Sequence, residues 1–154
     1  MLRGHFCVVA AIVLFSACGD SSPASPSGTS AGTATITVSI SPTPLSAPAD
    51  GGSLVWNVIY QEVGGVGARL DRDEMTVIDA AGGKAAEKNG FWKGGGCSAC
   101  PTDLRIGASA SMSFSGLTAT YLGPPRPGTF KYTLFYTDDR NNARSTTVTV
   151  PVVQ

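Results

Sequence analysis

The sequence predicts an all-β fold, a single antiparallel sandwich of about seven strands. Three observations carry that prediction. Apolar and polar residues alternate with period two in successive segments from Thr35 to Val153. No stretch sustains a helical period. Glycine (19) and proline (10) make up about a fifth of the 154 residues and fall between the alternating runs, where turns belong.

The first element is an address. Arg3 and the amino terminus form a short positive region, and Phe6 to Phe15 is an unbroken apolar run. A spanning helix needs about twenty such residues, so the run suits the apolar centre of a signal peptide. It ends at Phe15-Ser16-Ala17-Cys18. This segment resembles bacterial lipoprotein signal peptides, in which small residues precede an invariant cysteine. Ser16, Ala17 and Cys18 match that pattern, and Phe15 stands where leucine is usual. The resemblance implies cleavage before Cys18 and acylation of its thiol and amine, which would hold the protein on a membrane. An ordinary secretory cut after Ala17 would want a small residue at position 15, whereas a cut after Cys18 would place Ser16 there. Gly19, rather than aspartate, follows the cysteine. By resemblance to enterobacterial sorting this implies a place in the cell envelope, on the outer membrane where the bacterium is Gram-negative.

Residues 1–17 are thus read as signal peptide, and residues 18–33 as lipidated cysteine and tether. Asp20 to Thr33 is built of Ser, Thr, Pro, Gly and Ala after its first residue, so it buries nothing. Its fourteen residues reach about 45 Å when stretched.

Residues 34–154 form the domain. Thr35 to Ser41 alternates strictly, and Ser41-Pro42-Thr43-Pro44 stops the ladder. Ser53 to Glu62 places Leu54, Trp56, Val58 and Tyr60 on one face, expected in the core. Gly64-Gly65-Val66-Gly67 breaks that run and reads as a flexible hairpin connection. A third strand is expected from Glu74 to Ala80, with Met75, Val77 and Asp79 on one side, closed by Gly82-Gly83. Residues 84–103 give no clear period. Leu104 to Ile106 reads as a short strand, and Ser109 to Ser115 as a longer one carrying Met112 and Phe114. Phe130, Tyr132, Leu134 and Tyr136 share a face, the polar turn Thr137 to Asn142 follows, and Ser145 to Val153 returns. This pair reads as a hairpin, with Pro151 placing its second strand at a sheet edge.

Pro127-Gly128-Thr129-Phe130, followed by a strand and Asp138-Asp139, resembles the late hairpin of bacterial immunoglobulin-like domains. The resemblance implies an immunoglobulin-like sandwich across residues 34–153. Phe130 stands where many relatives carry tyrosine, so it offers no tyrosine-corner hydrogen bond.

Charge and chemistry exclude several functions. The chain has 11 basic and 11 acidic residues, without the basic surplus that nucleic acid requires. Loss of residues 1–17 removes Arg3 and His5, leaving ten basic against eleven acidic side chains and no histidine. Histidine-dependent nucleophilic triads and imidazole zinc sites then cannot be assembled. A non-enzymatic protein is the expectation.

Four features remain as candidate sites. Cys97-Ser98-Ala99-Cys100 follows three glycines and precedes Pro101. That is a loop context, unlike a thioredoxin motif opening a helix, and in an oxidising envelope it reads as a local disulfide clip. Redox thiols, intersubunit pairing and metal binding are the alternatives. Asp71 and Asp73, and Asp138 and Asp139, sit in oxygen-rich segments read as solvated turns, with a modest calcium site as the other reading. Gly64 to Arg69 lacks the Gly-Lys-Ser/Thr ending of a phosphate loop. Phe91, Trp92 and Tyr121 lie outside the clean alternation, where exposed rings could stack on sugars or anchor a protein. The duller alternative has Trp92 folded back to cap the core. The expected function is a membrane-anchored binding or adhesion module with no cofactor, its ligand a protein or a glycan. The alternative is a structural accessory subunit of an envelope complex.

Overall fold

The computed structural model describes residues 32–48, 52–89, 103–122, 124 and 126–154. Nine strands occupy them: β1 (Ile36–Ser41), β2 (Leu45–Ser46), β3 (Ser53–Glu62), β4 (Ala68–Asp79), β5 (Lys84–Asn89), β6 (Arg105–Ile106), β7 (Ser111–Thr120), β8 (Gly128–Asp138) and β9 (Ala143–Val153). The described residues contain no helix. The protein is all-β, as its alternation predicts.

The strands form two sheets. One has the order β1-β3-β7, and the other β2-β9-β8-β4-β5 with β6 also on β4. All pairings are antiparallel except β2 on β9, which is parallel. The chain changes sheets at each of the three steps from β1 to β4. Across Pro42 to Pro44, both cis, it leaves β1 and joins β9 as β2. Across residues 63–67 it leaves β3 and begins β4 in the other sheet. The glycine-rich segment is therefore a crossover between layers, which corrects the hairpin expectation. The larger sheet curls so that its edges reach the smaller one. Leu122 donates its N–H to the Ala85 carbonyl (2.5 Å), and Lys88 Nζ donates to the Thr118 carbonyl (3.0 Å).

One core fills the space between the layers. Leu54, Trp56, Val58 and Tyr60 of β3 meet Phe130, Tyr132, Leu134 and Tyr136 of β8, all buried. Trp56 and Phe130 pack edge to face with centroids 5.3 Å apart, the arrangement ring quadrupoles favour.

Two strands are longer than their sequence suggests, and both hide behind a bulge. In β4 the register on β8 shifts between Leu70 and Arg72. Ala68 and Leu70 face inward before the shift, and Asp73, Met75 and Val77 after it. Period two loses its phase at Asp71, which is why the sequence predicts a strand only from Glu74. In β7, Gly116 adopts φ +67° and donates its N–H to Asn57 Oδ1 (2.9 Å). Met112 and Phe114 pack on the core before it, and Leu117 and Ala119 after it. The strand thus runs past Ser115 to Thr120. Asp79 does not join the core: its Oδ1 accepts the N–H groups of Ala81 (2.9 Å) and Gly83 (2.7 Å) and closes the turn.

Candidate functional site

The antiparallel register of β4 and β8 sets Ala68 opposite Asp138 and Arg69 opposite Thr137, so the two oxygen-rich segments meet at one end of the molecule. Asp71 accepts hydrogen bonds from Arg69 Nε (2.9 Å) and Thr137 Oγ1 (2.6 Å). Arg105 on β6 pairs with Asp139. Arg69, Arg105, Thr137, Asp138, Asp139 and Asn141 line a cleft of about 270 Å³, and Asp71 holds two of them from outside it. Asp138, though buried, forms part of its wall and accepts the N–H groups of Arg140 (2.9 Å) and Asn142 (2.8 Å) and the Asn142 amide (3.0 Å). The Asn142 side chain, then its backbone N–H, hold this carboxyl below the usual aspartate value. The carboxylates of the cleft are therefore turned onto arginines, a hydroxyl and backbone donors. Among the described residues no group of three His, Cys, Asp or Glu is placed to hold a metal.

Asp73 does not belong to that end and is not in a solvated turn. It is buried within β4, where its Oδ2 accepts the Tyr132 hydroxyl at 2.7 Å. Tyr132 Oη lies 2.5 Å from Tyr60 Oη, so the three residues link the two sheets through the core. Burial pushes both phenols well above their usual range. For Tyr132, repulsion from Tyr60 and then from Asp73 adds to it.

Glu62 escaped notice in the sequence, although it continues the inward series Leu54, Trp56, Val58, Tyr60. Its carboxylate is buried and accepts four backbone N–H groups: Thr35 (3.1 Å), Gly64 (2.6 Å), Gly65 (2.9 Å) and Ser109 (2.8 Å). Burial is the largest influence and works to raise its pKa, but the four donors together hold it below the usual value. This one side chain fixes the start of β1, the crossover and the turn before β7. The fit demands glycine at 64, where a Cβ would stand 2.1 Å from the Thr33 carbonyl oxygen.

The opposite feature is an edge left unpaired. Val153 gives its carbonyl to Ala47 N–H (2.7 Å), so alternation turns the odd-numbered residues of β9 away from β8. β2 covers only Val152 and Val153 of that edge. Pro151, with no N–H to offer there, sits on the edge as expected. Ala143, Ser145, Thr147 and Thr149 then present N–H and C=O groups outward, and among the described residues no strand pairs with them. β1 runs alongside as the edge strand of the other sheet. The Thr35 carbonyl accepts Val63 N–H (2.9 Å), so β1 turns its even residues outward. Ile36 N–H donates to the Tyr136 hydroxyl at 3.3 Å. A groove of about 490 Å³ lies between these edges, lined by Ala34 to Ile36, Tyr136 and Ala143 to Thr146.

Tyr121 is not an exposed contact residue. It is 2% exposed and donates its hydroxyl to the Arg126 carbonyl (2.8 Å), closing the connection from β7 to β8. Phe91, Trp92, Cys97 and Cys100 lie outside the described residues, as does Cys18. The segment that carries the first four leaves from Asn89, paired with Glu74, and returns at Arg105, paired with Arg69. Both its ends are therefore held on the same edge of β4.

No protein-family model matches the chain, and no curated protein matches it. Its fold is similar to that of two solved structures. One is the putative ApaA protein from Bordetella pertussis, at 11% identity and a TM-score of 0.58, covering 80% of this chain and 96% of that one. The other is the structural genomics target SoR45, at 14% identity and a TM-score of 0.56, covering 77% and 86%. At such identities the likeness is one of fold alone.

Proposed function

We propose that the chain is an envelope lipoprotein, anchored through lipid on Cys18, whose domain is a non-catalytic immunoglobulin-like module that binds a protein partner by strand addition at β9. The observation that carries the binding reading is the row of outward backbone groups from Ala143 to Thr149 beside a groove. An added strand would satisfy those groups and extend the sheet.

Strand order supports the immunoglobulin-like assignment. β1-β3-β7 corresponds to strands A, B and E, and β9-β8-β4-β5 to G, F, C and C′. Tyr121 closes the corner between the strands that would be E and F. The departure is β6, which pairs with β4 in the G-F-C-C′ sheet instead of flanking strand E. Chain direction supports the tether: the domain begins at the end that holds Glu62 and Asp138, from which residues 18–33 would run to the membrane.

Two measurements test this reading. Cys18→Ser should release the protein to the soluble fraction, and retention in membranes would overturn lipid anchoring. Crosslinking of the full-length chain in its native envelope should capture a protein neighbour through β9. The same open edge favours a second reading, an accessory subunit joined to a larger complex. One dominant neighbour at fixed stoichiometry would identify that role, and a neighbour held only transiently would identify the free binding module.

A further inference from the structure

We infer that the strand added at β9 is an acidic segment of another protein, its carboxylates met by Arg144 on one face of the edge and Lys131 on the other; this rests on the strand-addition reading. Charge on the domain is largely matched in place. Arg69, Arg72, Lys84, Arg105 and Arg126 each pair with a carboxylate, and the Thr118 carbonyl holds Lys88. By contrast, the side chains of Lys131 and Arg144 have neither an ion pair nor a hydrogen bond among the described residues. Both stand on the β8–β9 hairpin, at opposite ends of the open stretch Ser145 to Thr149. Arg144 directly precedes that stretch, and Lys131 lies opposite Thr149 in the ladder.

Alternation sets the two cations on opposite faces. Even-numbered residues of β9 turn toward the space between the layers, where Arg144 lines the groove and Val150 and Val152 are buried. Lys131 falls between the buried Phe130 and Tyr132, so it projects from the outer face. No acidic residue answers them from the strands at this edge, since β1, β2 and β9 contain none. Asp138, at the end of β8, is buried and already accepts N–H groups from Ala34, Arg140 and Asn142. The exposed lining of the groove is Thr35, Ala143, Arg144 and Ser145, which suits a polar strand better than an apolar one. An added strand sends its side chains alternately to the two faces. Positions opposite Arg144 and Thr149 therefore lie on different faces, whether the partner runs parallel or antiparallel, and a carboxylate near each end of the segment meets one cation. Such rim charges set specificity and the rate of encounter, while the backbone row supplies the pairing. A lipid headgroup would answer the cations but not the backbone row.

The test uses the full-length chain in its native envelope, with a benzophenone side chain placed at position 147 and the captured segment sequenced by mass spectrometry. That segment should carry Asp or Glu on both sides of the crosslinked residue. Arg144→Glu with Lys131→Glu should lower capture about tenfold, because repulsion replaces two attractions. The neutral pair Arg144→Gln with Lys131→Gln should lower it less, and Lys84→Glu, on β5 at the far edge of the same sheet, should leave it unchanged. Urea unfolding of each variant separates lost capture from lost folding. A captured segment without acidic residues, or capture that the double reversal leaves unchanged, would overturn the acidic partner and keep strand addition. Thr147→Pro, with the benzophenone moved to position 145, tests the other level. It removes one outward N–H at a kind of position that Pro151 already occupies, and it should abolish capture. Capture that survives it, capture of lipid, or no capture from either position would overturn strand addition and the acidic partner together.

Discussion

Tyr60 on β3 and Tyr132 on β8 reach across the core from opposite sheets, hydroxyl to hydroxyl at 2.5 Å, and Asp73 on β4 accepts the Tyr132 proton at 2.7 Å. Tyr132 is thus the centre of the chain of bonds. Removing its hydroxyl strips a partner from a buried carboxylate and from a buried phenol at once. Tyr132→Phe is expected to cost about 2–4 kcal/mol, and Tyr60→Phe about 1 kcal/mol. Urea unfolding of both variants checks the order. Equal losses would mean that the carboxylate does not depend on Tyr132.

Position 64 is restricted by space rather than by dihedral angle. A Cβ on Gly64 would stand 2.1 Å from the Thr33 carbonyl oxygen and 2.8 Å from the Thr35 nitrogen, both backbone atoms. Next to it, Gly65 has φ +76° and open space around the same position. Gly64→Ala is therefore expected to destabilise by more than about 2 kcal/mol, and Gly65→Asn by under about 1 kcal/mol. Thermal melts of the pair would show the difference, and similar melts would refute the packing argument.

The carboxyls of Glu62 and Asp138 both titrate below their ordinary values of 4.5 and 3.8. Between folded and unfolded values the unfolded chain binds protons that the native chain does not, so stability falls as pH falls. The contribution is complete above the ordinary values and is lost as pH drops through the folded ones. Stability should therefore decline below about pH 5. Glu62→Gln should flatten part of that decline while costing about 2–3 kcal/mol at neutral pH through its backbone donors. An unchanged acid slope in the variant would show that Glu62 does not carry it.

Trp56 is fully buried against Phe130. The chain has two tryptophans, so Trp92→Phe leaves Trp56 as the single emitter. Its fluorescence should be blue-shifted and weakly quenched by acrylamide until the protein unfolds. Strong quenching in the native state would place Trp56 outside the core.

The pair Arg105–Asp139 is about half exposed on both sides (53% and 46%), in contrast to the buried groups above. Arg105→Ala is expected to change stability by no more than about 0.5 kcal/mol, as solvent screens such pairs. A loss several times larger in denaturant unfolding would make the end cleft a structural joint.

Alternation by itself determined that the protein is all-β, that Leu54 to Tyr60 and Phe130 to Tyr136 line its core, that the last two strands form a hairpin, and that Pro151 lies on an edge. These follow from local rules, since period two reports burial and proline reports a missing donor. Tertiary structure decided the rest. The bulges at Asp71 and Gly116 break the phase and conceal half of β4 and half of β7. Tyr121 looked like a loop aromatic, and only the path of residues 121–126 turns its hydroxyl inward. Glu62 and Asp73 are charged residues whose burial is possible only because donors from distant segments converge on them, and no local pattern records that convergence. The open edge of β9 is likewise a property of pairing. Among the described residues it exists because β1 joins β3 in the other sheet and β2 alone covers the end of β9.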